Sequence, residues 1–494
     1  MIDNTLEEIE LAVTQSWKAF QTYSKKSLQE RAAFLKAIAV ELTLVEEILI
    51  STAMQETNLP QARLKNELVR TIFQLNSYAD ACVKGDWLEI RIDTAIAERN
   101  PAKPDIRKIL VPLGPVVVFG ASNFPFAYST AGGDTATAFA AGCTVIVKAH
   151  PAHAKTSKIA ATAIFQAAAK TNMPHGVFAH IYGASVNVGK TLVTHTLVKA
   201  VGFTGSYAGG KQLFDWANQR KEPIPVFAEM GSINPVFLLP EKLNQSAVDI
   251  AKMYAASITL GVGQFCTNPG LIIAIQSNAL NIFINCLGEE IKKIAPATML
   301  HQGIANAYAE KKTKALQQKN VTTVAESVAQ PAQNQGQPTI ATVNAKTFLE
   351  NKILHEEVFG PYSLIVQCNN EDEMLTIAQH IEGQLTSTLM ATENDIIKNN
   401  QLIEVVKNLC GRIIVNSVPT GVEVCYSMQH GGPFPATTDS RFTSVGADAI
   451  KRFARPLSFQ NWNDNLLPDE LKNNNPLNIW RMINNEWTKD SANR

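Results

Sequence analysis

The chain of 494 residues is poor in cysteine, with seven, and these stand singly at 82, 143, 266, 286, 368, 410 and 425 without a CxxC pair. An odd, unpaired set argues against a disulfide framework or a cysteine-type zinc site, and the expected compartment is the reducing cytoplasm. No apolar run approaches the roughly 20 residues that a membrane helix needs. The start, "MIDNTLEEIELAV", places acidic residues where a secretory signal needs basic ones. Charge of one sign is also missing: 44 Lys and Arg balance 44 Asp and Glu. Nucleic-acid and membrane partners both ask for a one-signed basic face, so neither is expected. No GxGxxG opens a helix after a strand, so the ordinary dinucleotide fingerprint is absent as well. There is no tandem repeat.

What is present is an ordinary globular composition, 46% hydrophobic and 18% charged, long enough for about three domains. Residues 1–80 read as helices. Ser27 and Glu30 in "SLQE" make a capping-box pattern ahead of Phe34, Leu35, Ile38 and Leu42 at helical spacing. From about residue 109 strands alternate with helices: "ILVPLGPVVVFGA", the small-residue helix "GGDTATAFAAG", "CTVIVKA", the capped helix "TSKIAATAIFQAAAK", "GVFAHIYG", "AVGFTG" and the helix "GGKQLFDWANQ". Strands that are apolar throughout imply a parallel sheet covered on both faces, with ligands at the carboxyl ends of its strands. A second alternating region runs from near 230 to about 445. Within it, "AQPAQNQGQP" in residues 316–345 reads as a solvated loop. The last forty residues, rich in Asn, Trp and Pro, read as a docking extension.

The chemistry concentrates in "GVGQFCTNPG", residues 261–270. A buried cysteine usually serves as a small hydrophobe. Gly263, Gln264, Thr267 and Asn268 are poor company for an apolar core, however, so Cys266 reads as a thiol held on a turn. Asn123 in "GASNFPFA", Lys148 in "CTVIVKAHP" and Glu229 in "PVFAEMGSINP" each sit at the end of an apolar strand. "GFTGSYAGGK" places Gly205 and Gly209 between a strand and a helix, a turn that brings backbone N–H groups to a pyrophosphate. Together these describe a site at the carboxyl edge of a sheet.

These motifs resemble the aldehyde dehydrogenases along nearly the whole chain. "GQFCTNPG" resembles that superfamily's nucleophile motif and "FAEMGSINP" its general-base motif. "ASNFP", "VIVKAHP", "FTGSYAGG" and "HEEVFGP" resemble its oxyanion, ribose, pyrophosphate and nicotinamide-side motifs, in the expected order. "FGASNFPFAYSTAGGDTATAFAAGCTVIVKAHPAHAKTS" and "MQHGGPFPATTDSRFTSVGADAIKRFARP" are similar to the NADP-dependent branch that holds the 2,5-dioxovalerate (α-ketoglutarate semialdehyde) and a bacterial fatty aldehyde dehydrogenase.

The resemblance implies an α/β fold of two doubly wound domains and a small oligomerisation region. Residues 1–91 and 113–230 would form the Rossmann-like cofactor domain and 231–445 the catalytic domain. Residues 92–112 and 446–494 would assemble a homodimer or homotetramer. Cys266 would add to the aldehyde, with Asn123 and the Cys266 backbone N–H holding the oxyanion, and Glu229 would activate the water that hydrolyses the thioester. Lys148 and Glu357 would bind ribose hydroxyls, Phe359 would pack by the nicotinamide ribose, Gly205, Ser206 and Gly209 would face the pyrophosphate, and His150 would stand on the cofactor side.

Many NAD-preferring members carry a Glu three residues after the Lys. Here that position is Pro151, and Lys211 stands where a base can pair with a 2′-phosphate, so the expected cofactor is NADP, with NAD the other acceptable dinucleotide. A dioxo-acid needs a pocket cation, for which Arg70 and Arg441 are candidates. Phe124, Phe126 and Phe265 would confine either a short or a long aldehyde. His150, His153 and His430 raise a metal site or a Cys–His hydrolase, but no carboxylate completes a ligand set at familiar spacing. They read as loop histidines, and no metal is expected. The expected reaction is oxidation of 2,5-dioxovalerate to 2-oxoglutarate. The alternatives are a fatty aldehyde dehydrogenase, a thioester hydrolase without redox, or a catalytically idle member kept for interactions.

Overall fold

The computed structural model describes residues 3–492. Four helices, Leu6–Tyr23, Leu28–Leu44, Glu46–Thr57 and Gln61–Lys84, lead the chain. The capping box at Ser27 and Glu30 closes as the sequence predicts, and a second one closes at Thr5 and Glu8. The helix Ala154–Lys170 is capped differently from its own sequence signal. Its leading residue makes no side-chain cap bond. The Glu56 carboxylate from another helix accepts the N–H groups of Lys155 and Thr156 at 3.0 and 2.8 Å instead, an anion at the positive end of the helix.

Three large sheets and one two-stranded pair organise the rest. The first is wholly parallel, in the order Phe178–Ile181, Val145–Lys148, Val116–Phe119, Ala200–Thr204, Val226–Glu229. Its interior strand Val116–Phe119 is all apolar and buried on both faces, as a helix-covered parallel strand must be, while the edge strand Phe178–Ile181 is part-buried at Ala179 and His180. The chain winds outward from Val116–Phe119 in one direction and then returns on the other side. The ends of Val116–Phe119 and Ala200–Thr204 therefore form the crevice where ligands of such sheets bind. The second sheet has seven strands centred on Leu271–Ile275, all parallel except Thr322–Glu326 at one edge.

The third sheet is built from distant segments. Arg91–Asp93 and Ile106–Pro112 pair antiparallel, Ala454–Gln460 adds beyond Ile106–Pro112, and Arg481–Ile483 with Glu486–Thr488 adds beyond Arg91–Asp93. The Arg107 guanidinium ties it down, donating to the Leu471 carbonyl at 2.6 Å and to Asn473 at 2.8 Å.

The Gln-rich stretch is a solvated loop only in its first half. Gln335–Gly336 pairs with Ala297–Thr298. Gln337 is buried and donates to the Ser327 carbonyl, and Thr339–Asn344 is an interior strand. Polar composition concealed this because the buried polar side chains find partners inside the fold: Thr339 Oγ1 lies at 3.1 Å from both the Glu326 carboxylate and the Gln337 carbonyl, and Lys312 reaches both Gln337 and Thr339. Among the described residues no helix is long and apolar enough to cross a membrane.

Candidate active site

The turn that carries Cys266 is wound in the left-handed region. Gly261, Val262 and Gly263 have φ of 54°, 60° and 65°. Two of these are glycines, which tolerate it, but Val262 is β-branched and strained there, a state that persists only under constraint from outside. The constraint is visible. A Cβ on Gly263 would overlap the carbonyl of Gly360, so the two backbones touch. Gln264 donates to the Gly261 carbonyl at 3.1 Å and accepts the Leu300 N–H at 3.0 Å. Asn234, itself left-handed at φ 47° and fully buried, donates to the Cys266 and Asn268 carbonyls, both at 2.9 Å. The nucleophile loop is thus held from three elements, and Asn234 is a positioning residue that sequence reading missed.

Asn123 leaves the end of Val116–Phe119 and reaches the same loop. Its amide donates to the Gln264 carbonyl at 3.2 Å. That uses one of its two amide hydrogens and leaves the other for an oxyanion. The Asn123 backbone carbonyl accepts from Arg63 Nη2 at 2.7 Å.

Glu229 ends the strand Val226–Glu229 and is buried. A crossing segment returns from the second sheet to stitch that strand end: Met230 N–H donates to the Ala436 carbonyl and Thr438 N–H to the Ala228 carbonyl. The same segment delivers His430, and this overturns its reading as an isolated loop histidine. His430 Nε2 lies 3.6 Å from Cys266 Sγ and 3.1 Å from Glu229 Oε1. The carboxylate that sequence spacing did not supply is Glu229, brought in through the fold. Ser444 donates to Glu229 Oε2 at 3.1 Å and to the His430 carbonyl at 3.1 Å, locking the pair.

Burial alone would raise the Glu229 pKa, but His430 beside it, with hydrogen bonds from Cys266 and Ser444, holds the carboxyl below its usual range. Burial and the adjacent Glu229 charge push the Cys266 thiol well above the ordinary value. The thiol therefore needs a neighbouring proton acceptor to become a nucleophile at neutral pH, and His430 Nε2 is in that place.

A cavity of about 490 Å³ opens from Cys266, Asn123 and Glu229 along the crevice, within the size usual for small-molecule sites. Gly205, Ser206, Gly209, His150, Glu357 and Phe359 line it. Ser206 caps the helix Tyr207–Asn218, and Gly205 and Gly209 let that helix start pack on the Phe203 ring, which a Cβ at either would crowd. A helix N-terminus facing a cavity suits a pyrophosphate. Glu357 lies over Gly231, where a Cβ would stand 2.8 Å from its Oε2, and burial raises its pKa to about 7. The residues present therefore fit a dinucleotide. Lys148 ends its strand part-buried, and burial lowers its pKa. Lys211 is engaged, its Nζ donating to both Asp215 oxygens at 2.7 Å.

The candidates for the substrate side divide. Phe124 and Phe265 meet edge to face at 5.6 Å, with the Arg63 guanidinium over both rings at 4.9 and 4.7 Å. Phe126 is not with them: it is buried in the core and its backbone N–H serves the Glu67 carboxylate. Arg441 is also elsewhere, its side chain 80% exposed and paired with Asp439. Arg70 donates to Tyr128 Oη at 3.3 Å, and its charge lowers the Cys266 pKa, though by less than burial raises it. Arg63, one helix face with Arg70, is the cation that sequence reading missed, since nothing in "QARLKN" ties it to a loop sixty residues on.

The sequence profile of the aldehyde dehydrogenase family matches residues 2–443. The chain is 43% identical over 488 residues to an alpha-ketoglutaric semialdehyde dehydrogenase of Acinetobacter baylyi, covering 98% of this chain and 92% of that one. It is 47% identical over 476 residues to alpha-ketoglutaric semialdehyde dehydrogenase 2 of Azospirillum brasilense, covering 96% and 91%. Among solved structures, an apo betaine aldehyde dehydrogenase mutant of Staphylococcus aureus superposes with a TM-score of 0.78 at 19% identity over 94% of this chain and 91% of that one. A 1-pyrroline-5-carboxylate dehydrogenase from Thermus with bound NAD gives 0.76 at 19% over 93% and 86%. At that identity the likeness speaks for the fold.

Proposed function

The chain belongs to the aldehyde dehydrogenase family, and we propose that it oxidises 2,5-dioxovalerate to 2-oxoglutarate, with NADP favoured over NAD. The observation that carries the reading is the convergence of Asn123, Cys266, His430 and Glu229 at the end of the crevice cavity. The activities for which the two relatives at 43% and 47% identity are named support the substrate.

His430 Nε2 takes the thiol proton as Cys266 Sγ bonds to the aldehyde carbon. The resulting imidazolium faces the Glu229 carboxylate, which stabilises it. The oxyanion is held by the second amide hydrogen of Asn123 and the Cys266 backbone N–H. A nicotinamide held in the cavity would supply the two-electron acceptor for oxidation of the Cys266 adduct to a thioester. Glu229, held below the usual carboxylate range, is ionised and accepts a proton from the water that attacks the thioester. The carboxylate product leaves and the thiol is restored.

The dinucleotide would be held by Ser206 at the helix start, by Glu357 and by Phe359. Pro151 in place of a carboxylate and Lys211 nearby support a 2′-phosphate. Asp215 already occupies Lys211, so the preference for NADP is expected to be modest. Arg63 and Arg70 offer positive potential to the substrate carboxylate. Residues 1–91 and 113–230 form the cofactor domain in this reading and 231–445 the catalytic domain. Residues 92–112 and 446–494 serve assembly into a cytoplasmic homodimer or homotetramer.

The test is an initial-rate assay of reduced cofactor with 2,5-dioxovalerate, pentanal and a long-chain aldehyde, each with NADP and NAD. The expected result is a clear kcat/KM preference for the dioxo-acid. A preference for the long chain would overturn the substrate, and no reduction with any aldehyde would overturn the activity.

A further inference from the structure

Cys266, His430 and Glu229 are described above as proton-handling groups, yet their geometry answers to a second chemistry. Their donor atoms all lie within 4.8 Å of one another, and among the described residues they form the only group of three His, Cys, Asp or Glu side chains that do so. In a tetrahedral zinc site, with Zn–S near 2.3 Å and Zn–N and Zn–O near 2.1 Å, sulfur and nitrogen ligands stand about 3.6 Å apart and nitrogen and oxygen about 3.4 Å. Here Sγ to Nε2 is 3.6 Å and Nε2 to Oε1 is 3.1 Å.

The donors also face one another. Glu229 Oε1 is buried and lies 3.1 Å from His430 Nε2, while Oε2 is fixed by Ser444. His430 Nδ1 is buried without a hydrogen-bond partner, so the ring can carry its proton there and offer Nε2. The His430 main chain is fixed, its N–H donating to Thr443 Oγ1 at 2.9 Å and its carbonyl accepting the Ser444 N–H at 2.8 Å. Cys266 and Glu229 border the cavity, which leaves a fourth position open to water.

We propose that these three side chains form an inhibitory site for Zn²⁺. On binding, the Cys266 thiol loses its proton to solvent and a Zn–S bond forms, with Nε2 and Oε1 completing three ligands and water the fourth. No electron is transferred. One ion withdraws nucleophile, proton acceptor and hydrolytic base together, so the block is complete and is reversed by a chelator. The inhibition rests on the catalytic roles proposed above, but the ion site rests on geometry alone.

The two are separated by titrating the full chain with Co²⁺, which reports its ligands by colour. Expected are one ion per chain, a sulfur-to-cobalt charge-transfer band, and the strong visible bands of four-coordinate cobalt, displaced by Zn²⁺ and lost with Cys266→Ala. His430→Asn and Glu229→Gln keep the thiol but should each weaken Co²⁺ binding at least about 10- to 100-fold, the range that even outer-sphere changes reach. Aldehyde oxidation by the unaltered enzyme should fall with Zn²⁺ occupancy and return with chelator.

Unchanged Co²⁺ affinity in His430→Asn and Glu229→Gln would mean that the thiol alone captures the ion, and would overturn the site. So would a six-coordinate cobalt spectrum, or Zn²⁺ inhibition that chelator does not relieve. A protein that shows the cobalt spectrum but oxidises no aldehyde would keep the site and overturn the proposed function.

Discussion

Replacing Asn123 by Ala tests the oxyanion geometry most directly. Asn123 is 8% exposed, so the hydrogen bond it gives is made where water competes poorly. One amide hydrogen is committed to the Gln264 carbonyl at 3.2 Å, and the second is the one available to the developing oxyanion. Loss of one such donor costs about 2.7–4 kcal/mol, a factor of about 10²–10³ in rate. The Cys266 backbone N–H remains, and Asn234 and Gln264 still hold the loop, so the fold and the cofactor cavity should survive. The expected outcome for Asn123→Ala is a fall in kcat/KM for the aldehyde of about 100- to 1,000-fold, with the cofactor dissociation constant changed less than about threefold. A deuterium label on the aldehyde carbon should give an isotope effect at least as large as in the parent enzyme. Asn123→Asp should be worse, because a carboxylate would face both the Gln264 carbonyl and the oxyanion. The assay is initial-rate kinetics beside a cofactor titration by fluorescence. A loss below about fivefold, or one that lies wholly in cofactor binding, would refute the assignment.

His430→Asn removes the acceptor nearest the thiol, and kcat/KM should fall about 10²- to 10⁴-fold, with partial rescue by added imidazole; activity within threefold of the parent would show that the thiol loses its proton elsewhere. Glu357 carries a pKa raised to about 7, so its carboxylate is ionised above that pH and protonated below it. The KM for the dinucleotide should therefore rise as pH falls through about 7, and the inflection should vanish in Glu357→Gln. Gly263→Ala puts a Cβ into the Gly360 carbonyl at a left-handed φ. The left-handed conformation alone costs about 1–2 kcal/mol, so the melting temperature should drop, and activity should drop further because the displaced turn carries Cys266.

Much of the site was legible because it lies on strand ends. Asn123 and Glu229 stand where short apolar strands end, and a polar residue there in a parallel sheet is placed at the ligand crevice, whose cavity both line; Lys148 closes its strand likewise but is not among the residues that line that cavity. The glycines around Cys266 were equally readable as a turn. His430 was not, since it lies 164 residues from Cys266 in a segment of turns without periodicity. Its role depends on that segment crossing from the second sheet back to the first. The Gly-Gly-Pro that follows it signals a tight loop but not its destination. Arg63 was hidden for the opposite reason: it sits on a regular helix whose pattern reads fully as core packing and solvent. Arg441 and Phe126 were misassigned because residue type was matched to substrate chemistry before position was known.

The third sheet has a consequence for how the polypeptide is made. Strand Ile106–Pro112 pairs with Ala454–Gln460, so Pro112 waits for Ala454, which is synthesised 342 residues later. At about 5–20 residues per second, that is roughly 20 to 70 seconds of translation. The first sheet and its helices have all emerged by then. The edge of Ile106–Pro112 stays open throughout, and an open edge is a template for strands from other chains. Premature termination between residues 359 and 454 therefore leaves a chain that carries Cys266 and the cavity residues through Phe359 but bears a permanent adhesive edge. Folding yield on overexpression should accordingly be governed by the arrival of the C-terminal strands, and slowing translation late in the message should cost more product than slowing it early.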